Sequence, residues 1–443
     1  MAELEKNMTE QTPAPAPKPK KPTMQDEADA LFEMQMRIAK EAKKSDISLI
    51  GIFLAFIFAF AILIYAIPDK AFSEQENRVL QQFPQIQSRF NGSLIERIRA
   101  GKFLDKYFNG DFSEGIADYY ADQFPARDFF VGLKGVAEIA MLKGENNDIV
   151  LGKDGYLLTK EDAPNLENVE KNYNASLGFA QTMQAEGVDV VFAAAGRVID
   201  IMQNKLPALF PVGQIMQPWD TLNGVAAEDT SGAMKYVDLQ KLLISHADAG
   251  EYVMYRTDHH WTTYGAYLAY AAIMESFGME ALPLETFEVE QVSGAFYGTA
   301  WRNAGMKWIE PDAMEFYRYA GDEDFTMTIH DSDTVMKGFY DRSYLEKTDQ
   351  YSSFISGNNA YVTIEKDGGE ERERLMLVKD SFGHSLAPFL AYHFDLEIVD
   401  LRYYRASAAQ LVRDTGCSRV LIINNMGSLT DAATLSMLAI GCA

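Results

Sequence analysis

The chain has 443 residues, 64 of them acidic and 40 basic, for a formal charge of −24, with 47% hydrophobic residues. That charge excludes a nucleic-acid partner, because phosphate binding requires a basic face. Two cysteines exclude a disulfide-dense scaffold and a Cys-rich zinc module, while the apolar content is enough for a large core.

Residues 1–46 read as a cytoplasmic tail. Thr12–Pro22 is a Pro/Lys/Ala stretch that cannot pack a core and predicts an extended linker. Residues 24–44 predict a helix with Leu31, Met34 and Ile38 on one face, read either as a short amphipathic helix at a membrane surface or as a solvated linker. Residues 47–67 follow, 21 positions with no charge and no polar stripe. At 1.5 Å per residue they extend about 30 Å, the thickness of a bilayer's hydrocarbon core, and predict a transmembrane helix. Pro68 and Asp69 stand where small cleavage-site residues would follow a signal peptide, so the segment reads as an uncleaved anchor. Arg37, Lys40, Lys43 and Lys44 precede it, and Lys70 and Arg78 follow. This imbalance predicts a cytoplasmic N-terminus and an extracellular remainder. The tail is nearly neutral, so the negative charge belongs almost wholly to the outer part.

Residues 68–148 predict a mostly helical extracellular lead-in, its stretch 86–144 rich in aromatics such as Phe103, Tyr107, Phe108 and Tyr119. Residues 149–443 predict an α/β domain. Ile149–Leu151 and Tyr156–Leu158 flank Lys153-Asp154-Gly155 as a hairpin. Helices are predicted over Glu167–Glu186, Val237–His246, Trp261–Phe277, Leu386–Phe394 and Ser407–Arg413, the last with Ser407 as N-cap. Strands are predicted over Val188–Ala194, Tyr252–Tyr255, Leu375–Val378, Leu396–Asp400 and Arg419–Ile423. This alternation predicts a mostly parallel sheet with helices on both faces and a site at the C-terminal ends of its strands.

Two segments carry chemistry. In Arg256-Thr257-Asp258-His259-His260-Trp261, two of only six histidines stand beside a carboxylate. An Asp two residues before a His can turn onto its Nδ1, fixing the tautomer and stabilising the imidazolium. His260 satisfies that spacing and His259 is too close, so His260 reads as the base and Asp258 as its orienting acid. In Val378-Lys379-Asp380-Ser381-Phe382-Gly383-His384, Ser381 falls between a buried strand and a helix start. There the first backbone N–H groups and the helix dipole favour a developing oxyanion. Each segment also has a plainer reading. Asp and Ser cap many helices without doing chemistry, and Asp258, His259 and His260 could face a metal. Adjacent histidines rarely converge on one ion and no spaced third ligand appears, so no metal is expected, and no organic cofactor.

Thr257-Asp258-His259-His260-Trp261 resembles the signature of the DHHW protein family, which is similar to the alginate O-acetyltransferases of the AlgX and AlgJ type. Phe72–Leu80, Asp122–Asp128, Val150–Leu157 and Asp400–Tyr404 also resemble family segments, so the likeness extends over roughly residues 70–443. The resemblance implies an SGNH-hydrolase-like domain with a Ser-His-Asp triad, its Asp-His block preceding the serine. Asp258 and His260 match the acid and base, and Ser381 the nucleophile. Lys379 departs from the glycine of the usual serine block. The remaining oxyanion donors are not assigned. Tyr297, Arg302, Asn303 and Asn424 are polar candidates, each with an ordinary structural reading beside it. His259 and Trp261 are candidates for substrate contact. Trp261, Trp301 and Trp308 suit stacking on sugar rings, although core packing is the favoured role for Trp261.

The function implied is O-acetylation of an extracellular polysaccharide, with a multi-span membrane O-acyltransferase as the partner that delivers the acetyl group. The alternatives are an acetylesterase using the same triad, and a tethered glycan-binding or assembly subunit without catalysis. Cys417 and Cys442 suit either a disulfide or two separate thiols.

Overall fold

A computed structural model describes residues 23–73, 78–83, 111–141, 143–160, 163–369 and 371–442. Thr12–Pro22 and the aromatics Phe103, Tyr107 and Phe108 lie outside the described residues. Contacts divide the chain into two compact units, 1–69 and 70–443.

In the first unit, α1 (Met24–Ala66) is one continuous helix of 43 residues. It merges the predicted tail helix with the apolar segment, running through the capping-type pair Ser45-Asp46, with no proline in residues 24–66 to stop it. Its apolar stretch is long enough to cross a membrane and none of it is buried. Pro68, two residues beyond its end, cannot continue the helical hydrogen bonding.

The second unit opens with the short pair β1 (Phe72–Ser73) and β2 (Arg78–Val79), then α2 (Asp111–Asp122) and α3 (Arg127–Ala140). β3 (Glu145–Asn146), β4 (Ile149–Leu151) and β5 (Leu157–Thr159) form a small antiparallel sheet. Its tight turn has the expected sequence, with Asp154 and Gly155 at φ 57° and 79°. There follow α4 (Leu166–Ala185), β6 (Asp189–Ala195), α5 (Val198–Ile201), α6 (Val212–Glu228), β7 (Lys235–Val237), α7 (Leu239–Asp248) and α8 (Thr263–Ser276). Next come β8 (Glu288–Phe296), α9 (Thr299–Ala304), β9 (Asp312–Arg318), β10 (Phe325–Ile329), β11 (Thr334–Lys337) and β12 (Tyr361–Lys366). The chain closes with β13 (Arg374–Lys379), α10 (Gly383–Ala391), β14 (Asp395–Val399), α11 (Ala408–Thr415), β15 (Arg419–Asn425) and α12 (Met426–Asp431).

The central sheet has eight strands in the order β11-β10-β12-β14-β13-β15-β6-β7. Its β14-β13-β15-β6-β7 half is parallel, as expected from the strand–helix alternation. Its other half is not: β12 pairs antiparallel with β14, and β10 with both β12 and β11. The sheet is therefore mixed, and the mostly parallel sheet expected from the sequence describes only the half that holds the site. β10 reads Phe-Thr-Met-Thr-Ile with every second residue buried, the alternation of a sheet with one wetter face.

Apolar clusters fill both sides of the sheet. Leu375, Leu377, Leu421 and Ile423 point toward α7, α8 and α10. Met376, Val378, Val420 and Ile422 point toward α4, α6 and α11. Each such side chain contributes about 1.5–3 kcal/mol by leaving water. Ser407 caps α11, accepting from the Gln410 N–H at 3.0 Å. Tyr252–Tyr255, predicted as a strand, supplies only the isolated bridge between Met254 and Trp261 that closes the loop between them. Cys417 and Cys442 are both free thiols.

Candidate active site

Two loops meet at the C-terminal ends of the parallel strands. One leaves β13 and turns into α10, carrying Ser381. Asp380 fixes this turn from beneath. Its Oδ1 accepts from the Phe382 N–H at 3.0 Å. Its Oδ2 accepts from the Asn425 N–H at 2.7 Å, the Asn425 side-chain amide at 2.6 Å and the Ser428 hydroxyl at 2.8 Å. The serine turn is thereby tied to the end of β15, the neighbouring strand. Among the described residues the Ser381 N–H has no hydrogen-bond partner, so it is available to an oxyanion.

The other loop carries Asp258-His259-His260. The bridge between Met254 and Trp261 closes it, and Thr262 caps α8 through the Gly265 N–H at 3.1 Å. Buried Asp312 holds its start, accepting from the Thr257 N–H at 2.8 Å and hydroxyl at 2.6 Å, and from Arg256 Nε at 3.1 Å.

The loops join through one line of hydrogen bonds. Asp258 Oδ1 lies 2.5 Å from His260 Nδ1, and His260 Nε2 lies 2.8 Å from Ser381 Oγ. Asp258 and His260 are buried and Ser381 is half-buried. The Tyr351 ring stacks on the His260 imidazole at 3.8 Å with planes 10° apart, and Phe382 packs beside it. Tyr351 and Trp261 both hydrogen-bond Ser385 Oγ, at 3.0 and 2.9 Å. Asp258 Oδ2 accepts from the Thr299 N–H at 2.8 Å and hydroxyl at 3.1 Å. Burial works to raise the Asp258 pKa, but the charges of His259 and His260 and these hydrogen bonds outweigh it and hold the carboxyl well below its ordinary value.

Gly298 makes this geometry possible. A Cβ there would stand 2.2 Å from the Asp258 Cβ and 2.6 Å from its Cα. Gly298→Ala is expected to displace the acid, costing about 1–3 kcal/mol of stability and about 10²-fold in turnover. Thermal denaturation and a turnover assay on the same preparation check both numbers.

The other candidates fall in different places. His259 sits at the rim, its Nδ1 2.6 Å from Thr299 Oγ1. Trp261 is fully buried in the core, where its indole packs on Phe382 and none of it faces solvent, which leaves it no surface to offer a sugar. Trp301 stacks on Tyr297 at 4.2 Å and carries Lys307 on its ring, and Trp308 is exposed. Arg302 is buried and clamps the Tyr297 and Thr348 carbonyls at 3.2 and 2.8 Å. Asn424 is buried beside Asn425, with its Oδ1 unpartnered among the described residues. Asn303 lines a cavity beside His259.

Lys379 is buried at the end of β13, with its stem against Gly383 and its Nζ 3.8 Å from Asp400. Burial pulls its pKa down to about 8 against the opposing pull of Asp400. The ligand atoms of Asp258, His259 and His260 lie within 4.8 Å of one another. Hydrogen bonds already engage both Asp258 oxygens, both His260 ring nitrogens and His259 Nδ1, leaving a poor donor set for an ion.

The DHHW protein family model matches residues 232–399, a range holding both loops. The chain is 26% identical over 165 residues to "Probable alginate O-acetylase AlgJ" of Pseudomonas fluorescens, covering 36% of this chain and 41% of that protein. It is 27% identical over 202 residues to the protein of the same name from Pseudomonas syringae pv. tomato, covering 43% and 49%. The chain thus spans less than half the length of these curated relatives. Among solved structures it resembles a DHHW family protein from Eubacterium siraeum, with TM-score 0.53 and 23% identity over 67% of this chain and 96% of that one. It also resembles Bacillus cereus PatB1 with a sulfonyl adduct, with TM-score 0.55 and 20% identity over 65% and 98%. These likenesses are of fold.

Proposed function

We propose that the protein is a membrane-anchored acyltransferase that O-acetylates a polysaccharide outside the cell, through Ser381 as nucleophile, His260 as base and Asp258 as orienting acid. The observation that carries this reading is the unbroken line Asp258–His260–Ser381, ending at an unpaired Ser381 N–H. The relatives named alginate O-acetylase support the acetyl chemistry.

His260 Nε2 takes the Ser381 proton as Oγ attacks the acetyl carbonyl. The oxyanion forms at the Ser381 N–H, and His260 returns the proton to the departing group. A sugar hydroxyl then gives its proton to His260 and attacks the acyl-serine, and His260 returns that proton to the departing Ser381 Oγ, leaving an acetylated sugar and free Ser381. The acetyl donor is delivered by a multi-span membrane O-acyltransferase, beside which α1 holds the domain. The basic residues preceding the apolar segment support an extracellular catalytic unit. By this reading residues 68–148 are a lead-in and 149–443 the SGNH-like catalytic domain.

An activated acetyl ester tests the chemistry. The full chain in detergent is expected to show an acyl-enzyme burst on Ser381, and an added oligosaccharide should divert acetyl from water to sugar. Acetate release undiminished by any acceptor identifies an esterase, and the absence of a burst rules out the triad.

A further inference from the structure

His259 takes no part in the proton path, yet its hydrogen bonding fixes what it offers. Asp258 Oδ2 can only accept, so the Thr299 hydroxyl 3.1 Å away donates to it. The Thr299 oxygen then accepts from His259 Nδ1–H at 2.6 Å. That sets the tautomer and leaves Nε2 as a bare lone pair, with no partner among the described residues. Burial, with the charge of His260 behind it, pushes the His259 pKa down to about 4, tempered by the 41% of the side chain that water still reaches. At neutral pH His259 is therefore an acceptor.

The cavity it faces, of about 310 Å³, is also lined by Thr159, Arg197, Asn303 and Asn425. Arg197 is shared with a second cavity of about 460 Å³, walled by the loop 207–211 with Leu209 and Phe210. Gly427 is shared with a third of about 630 Å³, bearing Asp148, Asn165 and Asp431. Lys160 and Pro164 line both the second and the third. Through these shared residues the three cavities adjoin, in a cleft that starts at His259. Its two cations are already neutralised, Arg197 by Asp200 at 2.8 Å and Lys160 by Glu145 at 2.9 Å. Its other charges are carboxylates, in a chain of net charge −24. Amide and hydroxyl groups on one side and an apolar wall on the other suit a sugar chain, and the charge balance repels an anionic one.

We propose that this cleft holds the acceptor, that the acceptor is a neutral polyhydroxylated glycan chain occupying several sugar subsites, and that His259 Nε2 accepts a hydrogen bond from one of its hydroxyls. This rests on the acyl-transfer reading above and adds the class of acceptor and its location. The test titrates the full chain in detergent with a neutral glucose hexasaccharide and with a galacturonic acid hexasaccharide. It then measures acetyl transfer to each from an activated acetyl ester. The neutral chain should bind and be acetylated, while glucose itself, titrated as a one-sugar control, and the uronate chain should do so at least about tenfold less well. His259→Ala should weaken neutral-chain binding and raise its KM about 3- to 10-fold, the loss of one hydrogen bond. His259→Gln, which presents an amide oxygen, should restore most of it. Equal or better binding of the uronate chain overturns the proposal, as does an acceptor KM that His259→Ala leaves unmoved. A wild type that binds the neutral chain through His259 but forms no acyl-enzyme upholds the cleft and removes the acyl-transfer reading instead.

Discussion

Ser381→Ala is expected to lower acyl turnover by at least about 10⁴-fold while leaving the fold intact. The hydroxyl is the only group of Ser381 that reaches His260, and its removal deletes the nucleophile without touching the turn that carries it. That turn is held by Asp380, Asn425 and Ser428, none of which bonds the serine side chain. Far-ultraviolet circular dichroism and the melting temperature should therefore match the wild type. A sulfonyl fluoride, which captures an activated serine, should label the wild type at Ser381 and leave the variant unlabelled. His260→Ala should cost about as much alone as together with Ser381→Ala, because the two act as one unit. Turnover within tenfold of wild type in Ser381→Ala eliminates the serine mechanism.

How much of this was legible from residues alone depends on the range of the interaction. The pairing of Asp258 with His260 is local, and the spacing that favours His260 over His259 is the geometry found, with Nδ1 at 2.5 Å from the carboxylate. The parallel strands β6, β13, β14 and β15 were legible because each is a short apolar run between turn residues, whereas the three-residue β7, Lys-Tyr-Val, gave no such run. The antiparallel edge was not: β10 alternates threonines with larger apolar residues and β11 is four mostly exposed residues, weaker signals in a stretch crowded with acidic turns. Gly298, Thr299, Tyr351 and Asn425 were missed because each matters only through a partner 40 to 91 residues away in the chain. Gly298 looks like any turn glycine until the Asp258 backbone is laid against it. Lys379 seemed at odds with a serine block that normally carries glycine. Its side chain instead runs under Gly383 toward Asp400, away from the hydrogen bonds of the triad. Trp261 was read as more a core residue than a sugar contact, and its indole N–H is spent on buried Ser385.

Asp258→Asn is expected to cost about 10⁴-fold in turnover at neutral pH, nearly as much as removing the nucleophile. The native carboxylate receives four donors on two oxygens: His260 Nδ1–H and N–H on Oδ1, Thr299 N–H and O–H on Oδ2. An amide can accept on one side only. If its NH₂ faces His260, Nδ1 must become the acceptor, the proton moves to Nε2, and Nε2 can no longer take the Ser381 proton. If it faces Thr299, a buried N–H loses its partner, which costs about 1–3 kcal/mol. Either orientation strands a backbone N–H, that of His260 in the first and that of Thr299 in the second, so the variant should melt lower than the wild type in both cases. The pH dependence supplies a further check. The depressed Asp258 carboxyl contributes stability that is complete above its ordinary value of 3.8 and is lost as pH falls toward its lower folded value. Asparagine does not titrate, so melting temperatures of wild type and variant should converge as the pH drops below that window. Parallel melting curves across it would mean that Asp258 is not the ionised partner of His260, and the assignment of the acid would fall with that result.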